Sequence, residues 1–456
     1  MSRVDRSTLP VPGADRPFHF PRIARRLLDN GLELRAVRHD AVPVAAIVLL
    51  VPGGSSLDPV DAQGLVSLTV GLLDEGSKGQ SALDIADRVA RIGGDLELEA
   101  GMDAVVAGIT TLDRFLDQGL SLVHEIVTEP NLADHDFIRI RDLRLERLRQ
   151  MKDHAPALAE RAFARVVYGS HPYGHLSLGD EQAIAAMRAD AIRDMHQAMF
   201  VPAGATLVVV GARPEEELLD RAAVVFSRWE NRPSPITLDR TAPLEPPPAT
   251  PSARFGVLAR PGAAQSELRI GYACARRATP DYHALLLLNT ILGGDFVSRL
   301  NLNLREDKGY TYGVRTGFNL RRGIGPFAMQ TSVGTDVTAA AIEQAWAEIR
   351  AIATDRPATA DEVVNACATL SKGYPRGFET AGQVARSVAQ LALHELPDSY
   401  FEEFVPKVSL VGADEVTQAA RKYLDLEKMT TVVVGDVDKI HESLDRLGLP
   451  VTVLST

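Results

Sequence analysis

Two cysteines in 456 residues leave no disulfide framework to hold this chain together. Cys274 and Cys367 sit among small and apolar neighbours, in Gly-Tyr-Ala-Cys-Ala and Asn-Ala-Cys-Ala, and read as core filler with no Cys-based metal site. No stretch approaches the roughly eighteen uninterrupted apolar residues that a membrane-spanning helix requires. The opening MSRVDRSTLPVPGADRPFHF carries charge and proline where a signal peptide needs an apolar run, so the expected location is the cytoplasm. Runs of Lys or Arg are absent and the formal net charge is −11, which disfavours nucleic acid and anionic membrane as partners. The same charge biases the surface mildly toward basic peptides. Histidine is missing from the whole interval between His39 and His124.

What is present is an ordinary globular composition, 45% apolar and 24% charged, in a chain long enough for more than one domain. The clearest boundary is Asn231 to Pro251, whose seven prolines include Pro246-Pro247-Pro248. Such a segment favours extended conformations and builds no core element. The expected division is residues 1–230, a linker over 231–253, and residues 254–456.

The two halves read as copies. Each ends in helix, turn, buried strand, glycine and helix, with the strands at Thr206 to Val210 and Thr430 to Val434, 224 residues apart at their starts. Each begins with an apolar strand followed by Asp58-Pro59 or Thr279-Pro280, the prolines 221 residues apart. Similar offsets over such distant segments indicate duplication. Within the first half, Pro43 to Val51 reads as a buried strand, and Asp61 to Leu73 as a helix with leucines at 65, 68 and 72. Ser81-x-x-Asp84 reads as a capping box opening a helix that Gly93-Gly94 stops, and Asp95 to Ala100 as a strand. Asp134 to Val167 predicts one or two helices. The fold class is therefore α+β: two duplicated halves, each a mostly antiparallel sheet with flanking helices, joined by a Pro-rich linker.

The order NGLELRAVRHDAVPVAAIVLLVPGGSSLDP, a helix from Gly64-Leu65, a long helix, HPYG and then a duplication resembles the insulinase/pitrilysin-type (inverzincin) zinc metallopeptidases over almost the whole chain. In active members the helix after the first long strand carries H-x-x-E-H. Histidines at i and i+4 share a helical face and converge on Zn²⁺, while the glutamate activates the bound water. Laid on this sequence, those positions are Ser67, Val70 and Gly71, which provide neither ligands nor base. The resemblance also implies a glutamate ligand from the long helix; Glu146 lies near that position and reads as a solvated helix residue.

In the second half, GGDFVSRLNLNLREDKGYTYGVRTGF predicts a helix with Phe296, Leu300 and Leu304 on its buried stripe, a stop at Gly309, and a strand over Tyr310 to Gly317. Its Arg305 and Tyr312 are similar to the arginine–tyrosine pair that family members place opposite the zinc. A tyrosine hydroxyl there donates to the oxyanion of the tetrahedral intermediate, and an arginine binds substrate or orients the phenol. The bland alternative is an exposed helix-end arginine and a core strand tyrosine.

His171-Pro-Tyr-Gly-His175 reads as a structural loop, because Pro172 and Gly174 oppose the helix that an i,i+4 metal pair needs. Asp95, Glu97 and Glu99, with Asp103 beyond, read as a wet strand face, with an acidic cleft as the alternative. Gly293-Gly294, Gly323 and Gly325 carry no phosphate-loop pattern, and Ser67 lacks the glycines of a nucleophile elbow. The resemblance implies a zinc-less subunit of a heterodimeric peptidase. A homologous metal-binding partner would carry the zinc, and this chain would supply Arg305 and Tyr312 to a peptide substrate. The alternative is a non-enzymatic scaffold or peptide-binding protein of the same fold.

Overall fold

The computed structural model describes residues 18–231, 233–240 and 242–455; most of the N-terminal segment read for a leader, residues 1–17, and linker positions 232 and 241 lie outside them. The first half contributes β1 (Ile23–Leu27), β2 (Glu33–Arg38), β3 (Val44–Pro52), the small hairpin β4 (Gly76–Ser77) and β5 (Gln80–Ser81), β6 (Asp95–Ala100), β7 (Ala104–Leu112) and β8 (Thr206–Gly211). The second contributes β9 (Phe255–Ala259), β10 (Gln265–Ala275), β11 (Val314–Phe318), β12 (Gly325–Gly334), β13 (Thr430–Gly435) and β14 (Thr452–Val453). One sheet runs β1-β2-β8-β3-β7-β6. The other, taken in the same sense, runs β14-β9-β13-β10-β12-β11.

Apart from their first strands the two sheets superpose in topology. β2 with β8 and β9 with β13 are the parallel pairs, and the strands beyond them pair antiparallel. The duplication read from the sequence is therefore a repeat of whole sheets. The outer pair is where the copies differ: β1 runs antiparallel to β2, whereas β14 runs parallel to β9.

The central strands explain why the halves cannot be separated. β3 is apolar at nearly every position, so both of its faces need cover. Ala45, Ile47, Leu49 and Val51 enter the core of their own half. Ala46, Val48 and Leu50 pack on the other face against Val384, Ala385 and Val388 of the Ala381–Leu393 helix, which belongs to the second half. The reverse exchange covers the second sheet: Val432 of β13 packs with Phe163 and Val166 of the Ala155–Tyr168 helix, and Val434 with Ala159. Each half thus lends a helix to the other's sheet. Full burial of one such valine or leucine stabilises by about 1.5–3 kcal/mol, so the exchange locks the two sheets together.

A polar bridge adds register to this apolar exchange. Asp103, 8% exposed, accepts from the Tyr173 hydroxyl and, at 2.8 Å, from the backbone N–H of Arg322. The Gly323 N–H donates to the same Tyr173 oxygen at 3.0 Å, and the Tyr168 hydroxyl donates to the Ile324 carbonyl at 3.0 Å. Burial, with the Asp103 carboxylate alongside, raises the Tyr173 pKa, so the phenol stays a neutral donor. Asp103 is accordingly not part of the wet acidic face: it is a buried joint between halves, while Glu97 of β6 pairs with Arg386 of the lent helix.

Other sequence expectations shift in detail. The helix expected over Asp61 to Leu73 is confined to Leu65–Val70, with residues before it in turns, yet Leu65, Leu68 and Leu72 are all buried. Asp134 to Val167 forms two helices, Asp134–Met151 and Ala155–Tyr168. Ser81 and Asp84 form the expected capping box. Both cysteines are free and pack against the second core, and burial pushes the Cys274 thiol up to about 12. No helix of the described residues is long and apolar enough to cross a membrane.

Replacing Asp103 with Ala strands the Tyr173 hydroxyl and the Arg322 N–H, and should destabilise the chain by about 2–4 kcal/mol in urea unfolding. A midpoint that does not move would show that the bridge carries no stability. Burial holds His283 at about 4, with Lys407 and Arg277 adding to the shift, and His394 also at about 4, with Arg277 adding. These lowered values favour the neutral ring in the folded state, so their contribution is present above the unfolded value of 6.5 and lost as pH falls toward 4. Thermal midpoints should therefore drop across that window, and His283→Gln with His394→Gln should flatten the drop.

Candidate functional site

The short Leu65–Val70 helix carries Ser67 and Val70 and is capped by Gly71, the three positions where zinc ligands and base were expected to be missing, and it is held by carboxylate and guanidinium groups. Gly64 starts it at φ 95°, with Gly179 so close that an added Cβ would come within 2.8 Å of its Cα. The buried Asp58 carboxylate accepts from the N–H groups of Gly64 at 2.7 Å and Val66 at 2.8 Å, satisfying two free donors of the first turn. His175 Nε2 lies 3.0 Å from the same carboxylate. His171 Nδ1 accepts from the Tyr173 N–H at 3.0 Å, so its Nε2 donates to the Glu245 carbonyl at 2.9 Å. Both histidines of HPYGH are thereby engaged in holding a 3₁₀ turn, Pro172–Gly174.

Beside the positions on which the metal motif was laid stands a cation. Arg144, on the Asp134–Met151 helix, donates from Nη1 to Ser67 Oγ at 3.0 Å and to the Leu178 carbonyl at 3.4 Å. Its Nη2 reaches the Ser67 carbonyl at 3.5 Å and lies 3.8 Å from the point where Gly71 would place a Cβ. Burial and the neighbouring Arg147 lower the Arg144 pKa, with Asp58 opposing, and the group stays a cation at neutral pH. A divalent ion has neither ligands nor electrostatic room here, so the residues present do not fit zinc. Glu146 points to solvent and pairs with Arg149 at 2.5 Å, as a surface helix residue does. No group of three or more His, Cys, Asp or Glu side chains able to hold a metal occurs among the described residues. Arg144 is the residue that sequence reading missed; the arginine-rich run around it was the only signal.

The second candidate lies in the other half. After β10, the Tyr282–Asn289 helix continues into wide π turns over Thr290–Gly294, and a second π segment spans Asn301–Asp307. Such turns are uncommon and concentrate at functional positions. Leu300 and Leu304 are fully buried, as expected; Phe296 is exposed instead, and its ring stacks under the Arg305 guanidinium at 3.7 Å. Gly309 turns the chain at φ 66°, and the strand begins only at Val314, so Tyr312 belongs to the connecting turn. The cause is Asn301: its Oδ1 accepts the Val314 N–H at 2.8 Å while its Nδ2 donates to the Val314 carbonyl at 3.0 Å. A Thr311 hydroxyl turn pins the residues between. The core-tyrosine alternative fails, because Tyr312 is 95% exposed.

Arg305 and Tyr312 nevertheless line one cavity, of about 740 Å³, whose lining also includes Glu267, Arg269 and Thr316. Gly293 allows the chain to pass close to Thr316, since an added Cβ would fall 2.6 Å from the Thr316 methyl. Pro156 of the lent helix forms one wall. The cavity therefore joins the arginine and the tyrosine but not the Ser67 helix, whose positions are absent from its lining.

A family model described as the peptidase M16 inactive domain matches residues 186–370. A protein of Mycobacterium leprae named an uncharacterized zinc protease is 24% identical over 361 residues, covering 78% of this chain and 78% of that protein. A Helicobacter pylori protein named a non-peptidase homolog is 19% identical over 402 residues, covering 87% of this chain and 90% of its own. Among solved structures, a peptidase M16 inactive domain from Pseudomonas fluorescens superposes with a TM-score of 0.84 at 26% identity, covering 91% of this chain and 98% of that one. A protease from Helicobacter pylori shares the fold with a TM-score of 0.85 at 19% identity, covering 91% and 100%.

The filled metal position generates a direct test. The variant Ser67→His, Val70→Glu, Gly71→His should stay nearly zinc-free by elemental analysis after dialysis, and adding Arg144→Ala should raise its zinc content. Stoichiometric zinc with Arg144 intact would show that the guanidinium does not exclude the metal.

Proposed function

The chain belongs to the M16, insulinase/pitrilysin-type, peptidase family, and from that premise we propose that it is the zinc-less subunit of a heterodimeric zinc metalloendopeptidase. The observation that carries the proposal is the sharing of one cavity by Arg305 and an almost wholly exposed Tyr312. A tyrosine that buries nothing contributes little to folding, so its place at a cavity mouth is best accounted for by what it meets there. In this reading a homologous partner chain carries the metal and the attacking water, and the two chains enclose a peptide between them in the cytoplasm. Residues 1–230 and 254–456 are the two halves that close the chamber.

The roles of this chain's own residues follow from their chemistry. The Tyr312 hydroxyl donates to the carbonyl oxygen of the scissile bond as negative charge builds on it. Arg305, held by its stack on Phe296, presents a fixed fork of donors to substrate carbonyls and stabilises the same charge. Neither group supplies an attacking water, and the two carboxylates of the lining are already engaged, Glu267 with Arg269 and Ser332 and Asp295 with the Phe296 N–H and Thr369. The site is completed by pairing, which confines hydrolysis to the closed assembly.

A second reading, a non-enzymatic scaffold of the same fold, draws support from the relative named a non-peptidase homolog and from the cation that fills the metal position. The two readings separate on one variant. In an assembly with a metal-bearing homologous chain, Tyr312→Phe should lower kcat on a reporter peptide by about a hundredfold while leaving the thermal midpoint unchanged. Full activity of that variant would remove Tyr312 from the chemistry, and absence of activity in every such assembly would favour the scaffold.

A further inference from the structure

The cavity's own charge runs against that of the chain. The formal net charge is −11, yet the cavity's titratable lining consists of Arg269, Arg305 and Arg315 against Glu267 and Asp295, apart from the phenol of Tyr312. Strand register decides how these arginines are arranged. Arg315 of β11 stands opposite Gln330 of β12, and Gln330 stands opposite Arg269 of β10. One row across three strands therefore reads Arg, Gln, Arg on a single face of the sheet. Neighbouring strands lie about 4.8 Å apart, so the two arginine backbones stand roughly 10 Å apart, within reach of one carboxylate placed between them.

Their surroundings differ. Arg269, 5% exposed, is tied down: it donates to Glu267 at 3.3 Å and to the Pro156 carbonyl at 3.3 Å, and its Nε lies 3.6 Å from Glu160. Glu267 is in turn held by the Ser332 hydroxyl. The lent helix begins at Ala155 and covers Arg269, whereas Arg315 and Gln330 beyond it are exposed. Asp295 is occupied locally, accepting from the Phe296 N–H at 2.6 Å and the Thr369 hydroxyl at 3.3 Å. Among the described residues the ion pairing of Arg305 is a 3.5 Å contact with Glu306, beside its stack on Phe296, and neither acid of the cavity lining pairs with Arg315.

From this arrangement we infer that the cavity selects peptides carrying an acidic side chain, seated between Arg315 and the Arg269 end of the row and hydrogen-bonded by the Gln330 amide. The inference rests on the reading of this cavity as a peptide chamber and assigns its substrate class. It reverses the preference for basic peptides expected from net charge alone. The reversal has a physical cause: beyond a Debye length of about 8 Å the remote surface acids are screened, while a group inside the cavity meets the exposed Arg315, which neither acid of the lining pairs. A carboxylate also matches the guanidinium fork, which an ammonium cannot.

The test uses three fluorescein-labelled decapeptides, identical except for a central Glu, Gln or Lys, titrated into the whole chain and followed by anisotropy. The Glu peptide should bind roughly fivefold more tightly than the Gln peptide, and the Lys peptide more weakly than either. The Glu advantage should shrink as salt rises. Arg315→Glu, at an exposed position that the fold does not need, should invert the order, and Arg315→Lys should retain part of it. Equal affinities for all three peptides would overturn the charge selection and leave the chamber reading intact. Binding of none of them would overturn the inference, while the activity of the paired assembly still decides the subunit reading separately.

Discussion

Everything in this molecule depends on two sheets with inner strands, β3 and β8 in one and β13 in the other, that are apolar on both faces. A sheet of that kind cannot leave one face to solvent, and neither half has enough helices placed to cover both. The solution is an exchange, with Ala381–Leu393 lying on the first sheet and Ala155–Tyr168 on the second. That exchange fixes the relation of the halves, brings Asp103 under Tyr173 and Arg322, and places Pro156 against Arg269 at the edge of the cavity. The candidate site is thus a by-product of how the sheets are covered. Its wall comes from one half and its donors from the other.

The same geometry gives the missing zinc site a cause as well as an absence. Losing two imidazoles and a carboxylate from a helix face would leave a hole between that helix and its neighbour. Here the space beside Ser67 and Gly71 is taken by Arg144, whose donors satisfy the Ser67 hydroxyl and two backbone carbonyls. A fixed cation occupies that space, and the helix start is secured independently by Asp58.

Much of this was legible in the sequence, because it rests on local patterns. The apolar run of β3, the capping box at Ser81, the two buried Thr-x-Val-Val-Val-type strands and the near-constant offset between halves all come from short-range periodicity. Ser67, Val70 and Gly71 are the positions that the metal motif takes when it is laid on the helix start, and the structure puts a helix there. Arg305 and Tyr312 were placed in one cavity by the same kind of reasoning, and there the structure brings them together. What sequence spacing missed depends on partners far along the chain. Asp103 looks like the end of an acidic strand face until Tyr173 and Arg322 arrive. Arg144 looks like one arginine among several until the two helices are packed. Tyr312 looks like a strand residue because nothing local reveals that Asn301 clamps Val314 and delays the strand by four residues.

The central claim, that this chain contributes part of a site completed by another chain, is tested most directly on material isolated from its native source. The purified assembly should be weighed by native mass spectrometry and its zinc counted. The account predicts this chain paired with a homologous one, with roughly one zinc ion per pair held by the other chain. Zinc bound by this chain itself, or an assembly made only of copies of it that hydrolyses peptides, would contradict the account.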